Sequence, residues 1–135
     1  MMKQLQISFI FIFSFFIFSC EEEKNEVSTP NIIFEAPLVD SFLIGEDINI
    51  SIFVNHDEVI DNIKYYEIFD CSNDDFDSLI LQEWENIYEN EWAFNKVIET
   101  TNLPENTLCS CTIQIEATDL NNVMSQIEIM LDISN

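Results

Sequence analysis

From Ile48 to Val54 the chain places an apolar residue at every second position: Ile48, Ile50, Ile52 and Val54 against Asn49, Ser51 and Phe53. A period of two sends alternate side chains to opposite faces, so the segment is a strand with one face in a core. Ile113, Ile115 and Ala117 alternate with Thr112, Gln114 and Glu116 in the same way, and Ile127, Ile129, Leu131 and Ile133 with Gln126, Glu128, Met130 and Asp132. A further strand reads Ile63 to Phe69, behind a polar corner at Asn55-His56-Asp57-Glu58. Asp119-Leu120-Asn121-Asn122 is a second corner built of turn-forming residues. Earlier runs are short: Ile32 to Phe34 closes at Pro37, and Leu38, Phe42 and Ile44 lead to Gly45, the only glycine. Short strands parted by polar turns, with no helical crossover between them, predict an all-β, antiparallel two-sheet sandwich of about seven strands.

Residues 72–98 allow two readings. Phe76, Leu79/Ile80, Trp84 and Ile87/Tyr88 recur every three to four positions, with Ser72 as an N-cap and Asp74-Asp75 in a first turn, which describes a short helix in 74–90. The alternative is an edge strand near 78–84 and another at 91–98. A small sandwich needs strands there to cover its second sheet, so strands are the expectation.

Lys3 precedes an apolar stretch, Leu5 to Phe18, broken only by Gln6, Ser8 and Ser14 and ended by Ser19-Cys20. Its length of about fourteen residues falls short of the roughly 20 that cross a bilayer as a helix and fits a signal-peptide core. Ile17-Phe18-Ser19-Cys20 resembles a lipobox, with Phe18 where a small or aliphatic residue is usual. The resemblance implies a lipoprotein signal peptide over 1–19 and a lipidated Cys20, whose acyl chains hold the protein on a membrane. Glu21-Glu22-Glu23-Lys24-Asn25-Glu26 then opens an acidic, solvated tether over 20–30, ending at Pro30. This run also resembles the export signal of surface-exposed lipoproteins of Bacteroidota, implying an outer-membrane anchor with the domain facing outward; a periplasmic-facing anchor is the alternative.

Charge narrows the partners. The chain has 26 acidic residues against four cations, a formal charge of −22. Cleavage after residue 19 removes Lys3 and no acid, which makes the mature chain more negative by one. Phosphate backbones and anionic lipid surfaces both require Lys and Arg, so nucleic acid and peripheral docking on anionic lipid are excluded. Cations, neutral sugars and basic protein surfaces remain. Apolar residues are abundant from 32 to 133, enough for one core in a single domain over 31–135.

Beyond Cys20 there are three cysteines, Cys71, Cys109 and Cys111. In a compartment that permits disulfides the simplest count is one bridge and one free thiol. Cys109-Ser110-Cys111 is no zinc signature, since a tetrahedral site needs about four ligands and the chain has one His.

Several of these segments together resemble a family of immunoglobulin-like, cadherin-like domains common in Bacteroidota lipoproteins, many of unknown function. The residues that carry the likeness are Gly45-Glu46-Asp47-Ile48, Val59-Ile60-Asp61-Asn62-Ile63, Trp92-Ala93-Phe94, Leu103-Pro104 and Ile115-Glu116-Ala117-Thr118-Asp119. Asn121-Asn122 stands where Gly-Asn is usual, and Cys109-Ser110-Cys111 where Gly-x-Tyr is common. The resemblance implies an immunoglobulin-like sandwich over roughly 31–133 without established catalytic residues. It also implies that the strand ending at Cys71 runs antiparallel to the one beginning at Cys109, which brings Cys71 opposite Cys109 or Cys111; the sequence does not choose between them.

A glycosidase needs two carboxyls across a cleft, and the acids here sit mostly at turns. His56, between Asn55 and Asp57, has no partner in sequence and reads as a surface turn residue; no nucleophile or phosphate-loop motif is present. The chain is therefore expected not to be an enzyme and to need no cofactor, calcium excepted. For calcium, Asp70, Asn73, Asp74, Asp75 and Asp77 share one loop; Asn73, Asp75 and Asp77 have the alternate spacing that opens an EF-hand, but no glycine follows at the sixth place and Trp84 falls at the twelfth. Asp57, Asp61 and Asp119 form a second candidate cluster. Trp84, Tyr88 and Trp92 offer flat faces for a sugar, although aromatics of this size usually fill a core. The expectation is a non-catalytic, surface-anchored binding or adhesion module. Its alternatives are a carbohydrate-binding accessory lipoprotein, which needs Trp84 or Trp92 exposed, and a calcium-stabilised adhesion module. An exposed edge strand would point instead to a protein partner.

Overall fold

A computed structural model describes residues 27–72, 76–104 and 106–134. These residues form six strands and no α-helix: β1 (Asn31–Ala36), β2 (Ser41–Leu43), β3 (Asp47–Cys71), β4 (Ser78–Glu99), β5 (Cys109–Asp119) and β6 (Met124–Ser134). They make one continuous, curled sheet in the order β1-β3-β5-β6-β2, with β4 on the other side of β3. All pairs are antiparallel except β2 with β6, which is parallel. The all-β expectation is met; the sheet has six strands rather than about seven.

The main departure from the sequence reading lies in β3 and β4. The two strands expected around 48–54 and 63–69 are one strand of 25 residues, and those expected near 78–84 and 91–98 are one of 22. The helix considered for 74–90 is not formed where the chain is described, since strand β4 begins at Ser78. The Asn55–Glu58 segment is not a corner between strands but an irregular stretch inside β3.

Length makes that irregularity necessary. At ~3.3 Å per residue a straight 25-residue strand would run roughly 80 Å, far beyond the radius of ~13 Å of a hundred-residue domain. The ribbon must therefore bend. Asn55 pairs with Glu91 and Ile60 with Glu89, so residues 56–59 of β3 face Asn90 alone. The Asn90 side-chain amide donates to the carbonyls of His56, Asp57 and Glu58 at 3.3, 3.2 and 3.2 Å, which supplies partners that the strand ladder does not. On β4, residues 86–88 bulge out between Glu85 and Glu89, and Asn86 and Tyr88 adopt positive φ angles of 55° and 56°.

The same bulges keep the core on one face. Up to Ile60 the buried positions of β3 are even-numbered (Ile48, Ile50, Ile52, Val54, His56, Ile60); from Ile63 they are odd-numbered (Ile63, Tyr65, Glu67, Phe69, Cys71). A strict alternation would have turned half of the strand inside out. The extra residue at Asp61, which has no counterpart between Asp119 and Thr118 of β5, resets the parity. Beyond the bend β3 also changes neighbour: residues 51–55 pair with β1, and 60–71 with β5.

The two arms of the bent ribbon close on each other through aromatic side chains. Trp84 pairs with Ile63 on one arm, while Trp92 and Phe94 pair with Val54 and Ile52 on the other. Trp84 meets Trp92 edge-on at 5.0 Å between centroids and Phe94 at 5.1 Å, and Tyr65 lies 5.0 Å from Phe94. Around them Ile48, Ile50, Ile52, Ile113, Ile115, Leu131 and Ile133 complete the buried core.

The turn expected at Asp119–Asn122 is present, with Asn122 at φ 62°. Its carboxylate organises it: Asp119 Oδ1 accepts the Asn121 and Val123 N–H groups at 2.8 and 2.7 Å. Gly45 turns at φ 94°, a conformation in which a side chain would be strained.

A disulfide joins Cys71 to Cys109, directly opposed residues at the ends of β3 and β5 with Cα atoms 4.0 Å apart. Cys111, two residues along the same face, is free and buried. Burial and the nearby Glu67 carboxylate push its thiol up to about 12, which keeps it protonated and unreactive. Closing a segment of 38 residues is worth about 4 kcal/mol in the chain-entropy view. The Cys71→Ala/Cys109→Ala double variant is therefore expected to lose stability on that scale in urea titrations. Native protein should leave Cys111 unalkylated by iodoacetamide until denaturant is added; rapid labelling at neutral pH would contradict this burial.

Candidate functional site

The expected site residues are not gathered in one place. Cys20 and the tether up to residue 26 lie outside the described residues, as do Asn73, Asp74 and Asp75 of the calcium candidate. Of the candidate residues, Asp70 is exposed, and Asp77 uses Oδ1 to accept the Cys71 N–H at 2.9 Å. Of the second cluster, Asp57 accepts the Ser28 hydroxyl at 3.4 Å while Asp119 is committed to its turn and to His56. Among the described residues no three side chains of His, Cys, Asp or Glu converge as metal ligands.

Trp84, Tyr88 and Trp92 do not form a shared platform. Trp84 and Trp92 are half-buried and meet each other at 61° between ring planes, inside the closure of the ribbon. Trp92 stacks on Phe94 at 5.7 Å and 9°, so the neighbouring phenyl ring covers one of its faces. Tyr88 is 59% exposed, but it stands on the β4 bulge with its hydroxyl donating to Asn86 Oδ1 at 2.9 Å. The need to seal the bend explains the placement of the tryptophans.

His56 is a correction. It is buried rather than a surface turn residue, and its Nε2 lies 3.2 Å from Asp119 Oδ2 with both side chains almost wholly out of solvent. A carboxylate only accepts, so Nε2 carries the proton in this contact; among the described residues Nδ1 finds no partner. The sequence hid the pair because its members are 63 positions apart. It ties the β3 bulge to the β5–β6 turn, together with a hydrogen bond from Leu120 N–H to the Val59 carbonyl. The Asn121 amide also reaches Glu58 across the same gap.

A second polar cluster, also missed in the sequence, crosses the interior. Glu67 is buried and accepts the Tyr65 hydroxyl at 2.8 Å; Lys96, from the other arm of the ribbon, reaches the same Glu67 oxygen at 2.5 Å. The Lys96 ammonium also lies 5.2 Å from the centroid of the Tyr65 ring. Burial, the Glu67 charge and the hydrogen bond to it all raise the Tyr65 hydroxyl far above its ordinary value, so it stays a donor. Both clusters are internal ties; a surface pocket of about 210 Å³ adjoins Lys96.

The surface feature that stands out is the outer edge of β4. Among the described residues β4 pairs with β3 alone, so its other edge is free along the strand. The register puts Leu79 and Leu81 on the outer face beside Ile68 and Tyr66, and Ile80 on the inner face beside Glu67. All three are solvent-accessible, at 65%, 52% and 39% for Leu79, Leu81 and Ile80. An open cavity of about 450 Å³ adjoins them, lined by Ile68, Phe69, Asp70, Asp77, Ser78 and Leu79.

No protein-family model and no curated protein matches the chain. Its likenesses are to solved structures and are distant. Spo0M, a sporulation control protein from Bacillus subtilis, aligns with a TM-score of 0.42 and 10% identity over 80% of this chain and 49% of its own. A Niemann-Pick type C2 protein from Japanese carpenter ant gives 0.43 and 11% identity over 81% and 94%. A beta-glucosidase from Listeria innocua gives 0.43 and 6% over 81% of this chain and 16% of its own. The chain thus spans about half of Spo0M and a small part of the glucosidase. Likeness at this level carries no argument about function.

Two outcomes test the internal ties. Burial pushes the Asp119 carboxyl up, but the hydrogen bonds from Val123 N–H, His56 and Asn121 N–H outweigh it and hold the group below its ordinary value. A carboxyl depressed in the folded state contributes stability above its unfolded pKa and loses it as pH falls through the folded one. Asp119→Asn should therefore cost about 2–3 kcal/mol near neutrality, and the gap to wild type should close on acidification below about pH 4. A gap that stays constant down to pH 2 would refute the assignment. For the other cluster, Lys96→Met strands a buried carboxylate and should destabilise by about 3 kcal/mol. Adding Glu67→Gln should restore part of that loss, measured as a positive coupling in a double-mutant cycle.

Proposed function

We propose that this protein is a non-catalytic binding module of the bacterial envelope, tethered by lipid at Cys20 to the outer membrane, that holds a protein partner by strand addition to β4. The observation that carries the reading is the free β4 edge with exposed Leu79, Ile80 and Leu81. Unpaired N–H and C=O groups along an edge are a template for another extended chain, and apolar neighbours add contact area. The buried polar groups support the non-catalytic part, because His56 is held by Asp119, and Tyr65 and Lys96 by Glu67. The lipid anchor and outward placement rest on Ile17-Phe18-Ser19-Cys20 and the acidic run behind it. The fold reading that accompanies them is an immunoglobulin-like, cadherin-like sandwich, in which the bend of the β3–β4 ribbon lets one sheet act as two facing layers.

The full chain, held in detergent, can be panned against a library of random linear peptides. Peptides that bind should slow hydrogen exchange of backbone amides between Ser78 and Glu91. Binders that protect instead the groove of Pro37, Leu38, Val39 and Met130, or a library that yields none, would sink the proposal.

A further inference from the structure

Two chemistries lie end to end along the β4 edge. From Ser78 to Gln82 the strand carries no charge, and its apolar side chains point to both faces. From Glu83 onward it carries Glu83, Glu85, Glu89, Glu91 and Glu99, all exposed, against one cation, Lys96. That lysine is taken up by buried Glu67 at 2.5 Å. Lys64, on the neighbouring strand, sits 3.4 Å from Glu83. Among the described residues no cation pairs with Glu85, Glu89 or Glu91.

Resting on the reading of β4 as a docking edge, we propose that its occupant is a basic, extended segment of another protein. Its apolar residues would lie along Leu79–Leu81 and its lysines or arginines along Glu83, Glu85, Glu89 and Glu91. Opposite charges on adjacent strands stabilise pairing and like charges oppose it. A second copy of this chain is the poorer occupant for that reason: antiparallel self-pairing centred on Ile80 sets Glu83 against Asp77, and pairing further along sets glutamate against glutamate. The same acids keep uncharged or acidic edges from adding at random, so the edge admits strands selectively by charge.

The probes are a fluorescent decapeptide alternating Lys and Val, its Gln-for-Lys analogue, and the Lys peptide N-methylated at alternate amides. Each is titrated into the full chain in non-ionic detergent and followed by anisotropy. The Lys peptide should bind, weaken on raising salt to about 0.5 M, and exceed the Gln analogue by roughly tenfold; N-methylation should abolish binding. Glu85→Lys/Glu89→Lys should erase the preference for lysine, whereas Glu128→Lys on β6 should leave it intact. Equal affinity for the Lys and Gln peptides, still lost on N-methylation, overturns the basic occupant and keeps strand addition. Lysine-dependent binding that survives N-methylation overturns both. Concentration-dependent dimers with protected amides at 78–82 make the occupant a second copy. Neither peptide binding nor dimers, in a chain that remains folded, reduces the glutamates to guards against aggregation and sinks both readings.

Discussion

The bend of the β3–β4 ribbon is the constraint on which the rest of the structure depends. Strands of 25 and 22 residues cannot cover a core of this size while straight. Bending them costs backbone hydrogen bonds at the corner, and the chain replaces these locally: Asn90 serves three consecutive carbonyls, and Asp119 organises the adjoining turn while holding His56. Once the ribbon is bent, Trp84, Trp92, Phe94 and Tyr65 come into contact, β3 changes its neighbour from β1 to β5, and the parity of its buried residues shifts to suit. The irregularities of β3 and β4 thereby set the bend of the ribbon.

The interior is not purely apolar, and its polar groups join parts that strand pairing does not. Glu67 and Lys96 sit on opposite arms of the ribbon, and His56 in β3 meets Asp119 at the end of β5, 63 positions further along the chain. Buried ionic contacts of this kind are weak contributors to net stability, because desolvation offsets their attraction. Their geometry is demanding, however, since a misfolded arm would leave a charge buried without a partner. The disulfide acts at the far end of β3, where it pins the strand against β5 just before the loop that leads to β4.

The charge of the chain and its open edge bear on one another. A free strand edge with adjacent leucines is a hazard for aggregation. A surface this acidic opposes the approach of a second copy by like-charge repulsion. On the proposed reading, that repulsion disfavours self-pairing of β4 and favours a cation-bearing strand. The lipid tether inferred from the N-terminus fits such a role, because a two-dimensional anchor raises the local concentration of an edge that binds weakly.

Strand identity was legible in the sequence wherever alternation ran unbroken, as in Ile48–Val54, Ile113–Ala117 and Ile127–Ile133, because period-two burial is written directly in residue order. The turn at Asp119–Asn122 was legible for the same local reason. What the sequence alone could not decide was whether Asn55–Glu58 ended a strand or bent one, since polar residues suit a corner and a bulge equally. Nor could it place His56 inside, choose Cys109 over Cys111, or send Trp84 and Trp92 inward rather than to a sugar. Each of these depends on what lies across the fold: Asp119 for His56, the Cys71 register for Cys109, and the opposing arm of the ribbon for the tryptophans. Local periodicity determined the strands; the tertiary structure decided their continuity and their free edge, because only closure of the ribbon fixes which backbone and side-chain groups find partners.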